Sequence, residues 1–308
     1  MKLNPLVSIC IPTHNQIPAF LKKSIESAIQ QTYKNIEIVI NNNNTTNESS
    51  LYLKHLSESE EFGKIIKIFT NEHTVSLIES NEQVIHNATG DYLLILNSDD
   101  FLEKNAIEVL VNALQEHPDA DCICGHWRYV DKEFNEVSIN RNRLNYENKE
   151  SHIYDSLAEN TNYIVFSFLR TEYIKNIDIS MNKKLKLYWD VYMTNEITLH
   201  KKVIIIDYII GNFQNYNPSR DGGRGICAIF DRTEILYKTI GDIFEDKNLK
   251  NKMSKKIIAK IVFLHYCQIL MSLMVLALKL KITASQLINT LIYLVKMSLS
   301  FMILLIKL

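Results

Sequence analysis

An α/β fold is predicted: a Rossmann-like, mostly parallel sheet flanked by helices, followed by a helical C-terminal region. Three observations carry this expectation. Short β-branched runs alternate with segments of helical periodicity. Each run ends in a polar cluster, where a buried strand would turn into a helix. The chain of 308 residues, 46% hydrophobic and 22% charged, is long enough for one large domain plus a smaller appendage.

The elements follow in order. Val7-Ser8-Ile9-Cys10-Ile11-Pro12 reads as a buried first strand ended by a proline, and Thr13-His14-Asn15 is its polar turn. Leu21, Ile25, Ala28 and Ile29 recur at helical spacing, so a helix packs back on the sheet. Ile36-Glu37-Ile38-Val39-Ile40 is the second strand, and Asn41 to Asn47 form a turn-rich run. Ile65-Ile66-Lys67-Ile68-Phe69 supplies a third strand, and the segment from Val75 to Ala88 reads as helix. Gly90-Asp91 leads into Tyr92-Leu93-Leu94-Ile95-Leu96, which stops at Asn97-Ser98-Asp99-Asp100. Such alternation implies βαβ units, whose ligands bind at the carboxyl ends of the strands. Three polar clusters stand at those ends: Thr13–Asn15, Asn41–Asn47 and Asn97–Asp100.

Charge and cysteine content bound the function. A formal net charge of −1 gives no basis for nucleic-acid binding. Five scattered cysteines do not form a disulfide framework, and the N-terminus lacks the build of a secretory signal, so a reducing, cytoplasmic setting is expected. Adjacent carboxylates at a strand end raise one another's pKa unless solvent or a cation screens them. A hard divalent ion held by one or two carboxylates, with positions left for substrate phosphates, satisfies Asp99 and Asp100. The competing reading makes them caps of the helix that carries Ile107, Leu110 and Leu114.

Three segments together resemble the family 2 glycosyltransferases. They are Val7–Asn15, then Gln31-Thr32-Tyr33-Lys34-Asn35-Ile36-Glu37-Ile38-Val39, then Ala88-Thr89-Gly90-Asp91-Tyr92 leading to Asn97-Ser98-Asp99-Asp100. The resemblance covers the first hundred residues or so. It implies a GT-A fold, inverting transfer, a nucleotide-sugar donor (a UDP-sugar) as co-substrate, and Mn2+ or Mg2+. It places Pro12, Thr13, His14 and Asn15 along the base and ribose. Asn42 and Asn43 fall where the family has paired aspartates, one of which reads the base edge. Asn97 replaces the first carboxylate of the family's Asp-x-Asp and Ser98 its middle residue. Asp99 matches the metal-binding carboxylate, with Asp100 a second ligand or an orienter. The acceptor-activating base falls on Asp190, within Tyr188-Trp189-Asp190-Val191-Tyr192; its competing role is a helix cap, and Asp178 and Asp207 have no comparable context. The loop from Asn215 to Gly225 has the glycines and arginines of a lid over pyrophosphate, or of an exposed loop.

Outside the resemblance, Cys122, Cys124 and His126 alternate on one strand face, but a structural zinc would need a fourth ligand. Trp127, Arg128 and Tyr129 suit either an acceptor groove or core, and Lys132–Glu150 reads as a polar excursion.

No Asp or Glu follows Asp246, while Lys252, Lys255, Lys256, Lys260, Lys279, Lys281, Lys296 and Lys307 do. The uncharged run Ile261–Leu278 just reaches the length of a membrane span, but His265, Gln268 and Ser272 interrupt its apolar character. The tail reads as interfacial helices with lysines at an anionic lipid surface, or as a helical subdomain or homo-oligomer interface. Residues 1–225 are therefore expected to form the catalytic domain, with a nucleotide-sugar half at 1–120 and an acceptor half at 121–225. Residues 226–308 form the apolar, basic appendage. The expected partners are a nucleotide sugar, a glycan or lipid-linked acceptor and the inner face of the cell membrane; nucleic acid is not among them. A non-catalytic nucleotide-sugar-binding relative and a sugar nucleotidyltransferase are the alternatives.

Overall fold

A computed structural model of the chain describes residues 4–60, 62–141, 166–177 and 189–214, and in the C-terminal region 234–235, 238–240, 242, 258, 262, 285 and 288–296. The chain separates into two compact units, Met1–Arg143 with Tyr163–Asp178 and Lys201–Asn217, and Leu144–Asn162 with Ile179–His200 and Pro218–Leu308.

The first unit is built on a mixed sheet of nine described strands. Its parallel heart is β1 (Val7–Thr13), β2 (Ile36–Asn42), β3 (Ile66–Thr70) and β4 (Tyr92–Ile95), in the order β3-β2-β1-β4. β1 and β2 are buried along their whole length, as continuous apolar runs in a sheet covered on both faces must be. Between these strands run α1 (Pro18–Ile29), α2 (Ser49–Glu58) and α3 (Leu77–Asn87). Pro18 opens α1, where its missing N–H costs nothing. Ser76 caps α3, its hydroxyl accepting from Glu79 N at 3.2 Å.

Beyond β4 the sheet continues through β5 (Phe101–Leu102), β6 (Cys122–Val130), β7 (Glu136–Asn140), β8 (Phe168–Arg170) and β9 (Val203–Gln214). β8 lies antiparallel between β4 and β6, and β6 pairs parallel with β9. Antiparallel to an antiparallel neighbour, β6 points the same way as β4. The carboxyl ends of β1, β2, β4, β6 and β9 therefore share one edge. α4 (Ala106–Glu116) covers the core through Ile107, Leu110, Val111 and Leu114, and α5 (Thr171–Lys175) follows β8.

One expectation changes here. Asp99 and Asp100 do not cap the helix after them, because β5 intervenes and α4 begins at Ala106 with Asn105 as its N-cap. β3 sits one residue later than the hydrophobic run implied, and α3 is shorter than the 75–88 expectation.

In the second unit, α6 (Trp189–His200) is buried on nearly every side, including Trp189, Tyr192, Met193, Asn195, Ile197 and Leu199. Asn195 Nδ2 donates to Thr239 Oγ1 at 3.3 Å, and Lys238 Nζ pairs with Asp242 at 2.8 Å. Residues 288–296 are helical, with Thr290 and Leu294 buried.

Candidate active site

The shared strand edge is held together by backbone and amide bonds before any ligand is considered. Thr13 pairs with Asn42 in the parallel register, and Asn43 N donates to Thr13 O at 2.9 Å. Asn15 and Asn44 both have positive φ, 46° and 54°, a region asparagine tolerates better than most side chains. With its backbone so turned, Asn15 Oδ1 accepts from Thr46 N at 2.8 Å and from Asn47 N at 3.2 Å, binding the first turn to the second.

His14 is exposed, and its Nδ1 lies 2.6 Å from Asn43 O. A carbonyl can only accept, so Nδ1 carries the proton; in the neutral ring Nε2 then accepts from Asn15 Nδ2 at 3.3 Å. Asn42 Oδ1 accepts from Thr45 N at 2.9 Å. Asn43 pairs with the backbone of Val75 in both directions, accepting from its N at 2.9 Å and donating to its O at 3.0 Å. Its Oδ1 also accepts from Asn71 Nδ2 at 3.1 Å. An aspartate could not donate to Val75 O, which is a physical reason for an amide at this position.

The third cluster is clamped from two directions. Ser24 Oγ of α1 donates to Asn97 O at 3.2 Å, and Gln16 Nε2 donates to Ser98 Oγ at 3.3 Å. Asp100 is fully buried. Its Oδ2 accepts from Asn97 Nδ2 at 2.9 Å and its Oδ1 from Gln214 N at 2.8 Å, so it ties the end of β4 to the end of β9. Asp99 is also buried, 6% exposed, between Ser98 and Asp100.

Thr13 Oγ1 lies buried at the end of β1 with no hydrogen-bond partner in the chain. A buried hydroxyl without a partner is costly, so this edge presents an unmet polar group. Among the described residues no group of three or more His, Cys, Asp or Glu side chains is placed to hold a metal ion.

The other motifs serve the frame. Glu37 is buried on β2, and five donors converge on it. Ser8 Oγ at 2.5 Å, Thr89 N at 2.6 Å and Gly90 N at 3.2 Å meet Oε1; Lys67 Nζ at 2.6 Å and Thr89 Oγ1 at 2.8 Å meet Oε2. Burial pushes this carboxyl up, but the bonds from Lys67, Ser8 and Thr89 outweigh it and bring the pKa down to about 2. A Cβ on Gly90 would lie 2.7 Å from Leu6 O and 2.8 Å from Ser8 Oγ, so only glycine lets the chain cross here. Asp91 completes the clasp, its Oδ2 accepting from Leu6 N at 2.9 Å. Gln31 does the same on the other side. It donates to Glu103 O at 2.8 Å and accepts from Ile107 N at 3.0 Å, fixing the segment that follows Asp100.

Elsewhere in this unit, Glu103, His126, Arg128, Arg141, Asp207 and Tyr208 line a cleft of about 280 Å³. His126 Nε2 lies 3.0 Å from Asp207 Oδ1, and Arg128 is locked by Glu103 and Glu136, at 2.9 Å from the latter. Trp127 is core, 5% exposed. Among the described residues Cys122, Cys124 and His126 belong to no group placed to hold a metal ion. In the second unit, Asp190 stands in the first turn of α6, Oδ1 accepting from Val191 N at 2.9 Å. The glycine- and arginine-bearing stretch 215–225 lies outside the described residues.

A family model for glycosyl transferase family 2 matches residues 8–177, more than half of the chain. The chain belongs to glycosyl transferase family 2. Its relatives include the glycosyltransferase GlyA of Streptococcus pneumoniae serotype 4, 30% identical over 127 residues, 41% of this chain and 17% of GlyA. The chain thus matches about a sixth of that relative's length. S. aureus TarS 1–349 in complex with UDP-GlcNAc superposes with a TM-score of 0.68 at 17% identity, covering 92% of this chain and 79% of the other. The mannosyltransferase PcManGT from Pyrobaculum calidifontis, in complex with GDP-Man and Mn2+, does so at 0.57 and 12% identity, covering 96% and 81%. These structures establish the GT-A fold of the family member described above.

Proposed function

We propose that this chain is an inverting glycosyltransferase. It moves a sugar from a nucleoside diphosphate donor, a UDP-sugar in this reading, to a hydroxyl of a glycan or lipid-linked acceptor in bacterial surface polysaccharide or oligosaccharide synthesis. The observation that carries the reading is the polar edge at the ends of β1, β2 and β4. There, the unpartnered Thr13 Oγ1 and the buried Asp99 stand at and just beyond the ends of the neighbouring strands β1 and β4, within a family 2 frame. Complexes of the structural neighbours with UDP-GlcNAc, and with GDP-Man and Mn2+, support a nucleotide-sugar donor and a divalent ion.

The roles divide by position. Pro12, Thr13, His14 and Asn15 line the nucleoside, with Thr13 Oγ1 gaining the partner it lacks. Asn42, Asn97 and Ser98 meet the base edge, ribose or sugar, and Asn43 holds the floor beneath them through Val75. Asp99 would hold Mn2+ or Mg2+, which offsets the charge that develops on the departing diphosphate. Asp190 takes the proton of the attacking acceptor hydroxyl. The acid-free, lysine-bearing region after Asp246 supports a place on the inner face of the cell membrane, where lipid-linked acceptors are found.

The test uses purified full-length protein, Mn2+ and a panel of nucleotide sugars, with release of nucleoside diphosphate as the readout. Consumption of at least one donor, lost in Asp99→Asn, is the expected result. No consumption of any donor with or without acceptor, while a donor still raises the melting temperature, would make the chain a non-catalytic binding relative.

A further inference from the structure

The region after Asp246 carries ten lysines and no Asp, Glu or Arg, in a chain whose formal net charge is −1. The described helix in that region has a one-sided surface. Ile288, Leu291, Ile292 and Val295 are 56%, 42%, 50% and 60% exposed. At i, i+3, i+4 and i+7 they form a single stripe. Thr290 and Leu294, on the other side, are buried at 1% and 5%, and Tyr293 OH donates to Glu234 Oε1 at 2.6 Å. The helix is therefore docked in its own unit by one face and offers an apolar face outward. Nine large hydrophobic side chains are exposed among the described residues, and four of them lie on this stripe. Isolated exposed apolar residues are ordinary, whereas a contiguous stripe marks a contact surface.

We propose that the Ile288–Leu291–Ile292–Val295 face is the membrane-contact surface of the protein, seated among the acyl chains of an anionic lipid leaflet. This deepens the membrane part of the proposed function and does not depend on the chemistry at Asp99. Charge selects the occupant. An anionic lipid surface complements a region of ten lysines without acids, while a second copy of that region would add like charge to like charge. One-sidedness selects the mode: a helix with one face packed on protein and one apolar face outward lies in the interface plane.

Flotation of the full-length protein decides it, using vesicles of phosphatidylcholine alone and vesicles containing phosphatidylglycerol as well. The protein is expected to float with the anionic vesicles, to remain behind with the neutral ones, and to be released by high salt. The double variant Leu291→Asn/Ile292→Asn removes two inserted side chains and should lower the partition at least about tenfold. Ile288→Asn, one turn earlier, should lower it independently, and a melting transition by circular dichroism matching wild type shows that both variants are folded. Failure of the wild type to float with anionic vesicles overturns the proposal. So does a dimer in sedimentation that the double variant splits into monomers, which would make a second copy the occupant. Vesicle capture needs no nucleotide sugar, so neither failure bears on the transfer reaction.

Discussion

Glu37→Gln removes one charge from the clasp at the centre of the parallel sheet and keeps the shape of the side chain. The carboxyl of Glu37 is held at about 2, against an ordinary value of 4.5, by donors from β1, β3 and the turn before β4. Each unit of such a shift corresponds to about 1.4 kcal/mol, so the ionised form contributes about 3 kcal/mol to stability at neutral pH. The side chain is 6% exposed, so little of this is lost to solvent screening. The pH dependence has a definite sign. A depressed carboxyl contributes fully above its unfolded value of about 4.5, and the contribution disappears as pH falls toward about 2. In the amide variant the contribution is absent at every pH. Urea unfolding of wild type and Glu37→Gln should therefore show a gap of about 3 kcal/mol at pH 7, closing steadily from about pH 5 down to about pH 2. For a unit of this size the neutral gap is about 6–12 °C in Tm. A gap below about 1 kcal/mol at pH 7, or one that does not narrow in acid, would refute the reasoning.

Further outcomes follow from the same contacts. Gly90→Ala places a Cβ within 2.9 Å of two backbone atoms and a hydroxyl, and should lower stability by about 1–3 kcal/mol in urea unfolding. Asn43→Asp, the substitution toward the usual carboxylate of the family, sets an acceptor against Val75 O. It should cost about 1–3 kcal/mol in thermal melts without tightening donor binding by calorimetry. Asp99→Asn should reduce metal-stimulated donor consumption about a hundredfold or more, seen as nucleoside diphosphate release. Asp190→Asn should lose transfer to acceptor by about the same factor while donor affinity, measured by calorimetry, stays within twofold or so; equal loss of both would remove the base assignment.

Much of the parallel half was legible because its signals are local. Val7–Pro12, Ile36–Ile40 and Tyr92–Leu96 are β-branched or apolar runs that end in polar turns, and β1, β2 and β4 stand there. β8, three residues long, and β5, two residues long, carry no measurable period, so the antiparallel step between β4 and β6 was hidden. α6 shows little segregation of apolar and polar residues because it is buried nearly all round. At the site, the positions of the three clusters could be read, but the duties of individual side chains could not. Asn43 is bound to Val75, 32 residues away, and Gln31 to Glu103, 72 away, and no local pattern encodes such partners. The Ala88-Thr89-Gly90-Asp91-Tyr92 stretch marks the family, yet its work is to clasp Glu37, Ser8 and Leu6 beneath the site. Asp100 also accepts from Gln214 N, a bond from the end of β4 to the end of β9 that no local pattern encodes.

In the proposed function the shared edge of β1, β2 and β4 binds a nucleotide sugar with a divalent metal held at Asp99. Thermal unfolding of the purified protein across a panel of nucleotide sugars, with and without Mn2+, tests it most directly. At about a hundred times its Kd a cognate donor adds about 2.7 kcal/mol, a shift of several degrees. That shift is expected for one nucleotide class, only with Mn2+ present, and should be absent in Asp99→Asn. A full shift without the metal, or one retained in Asp99→Asn, would contradict it.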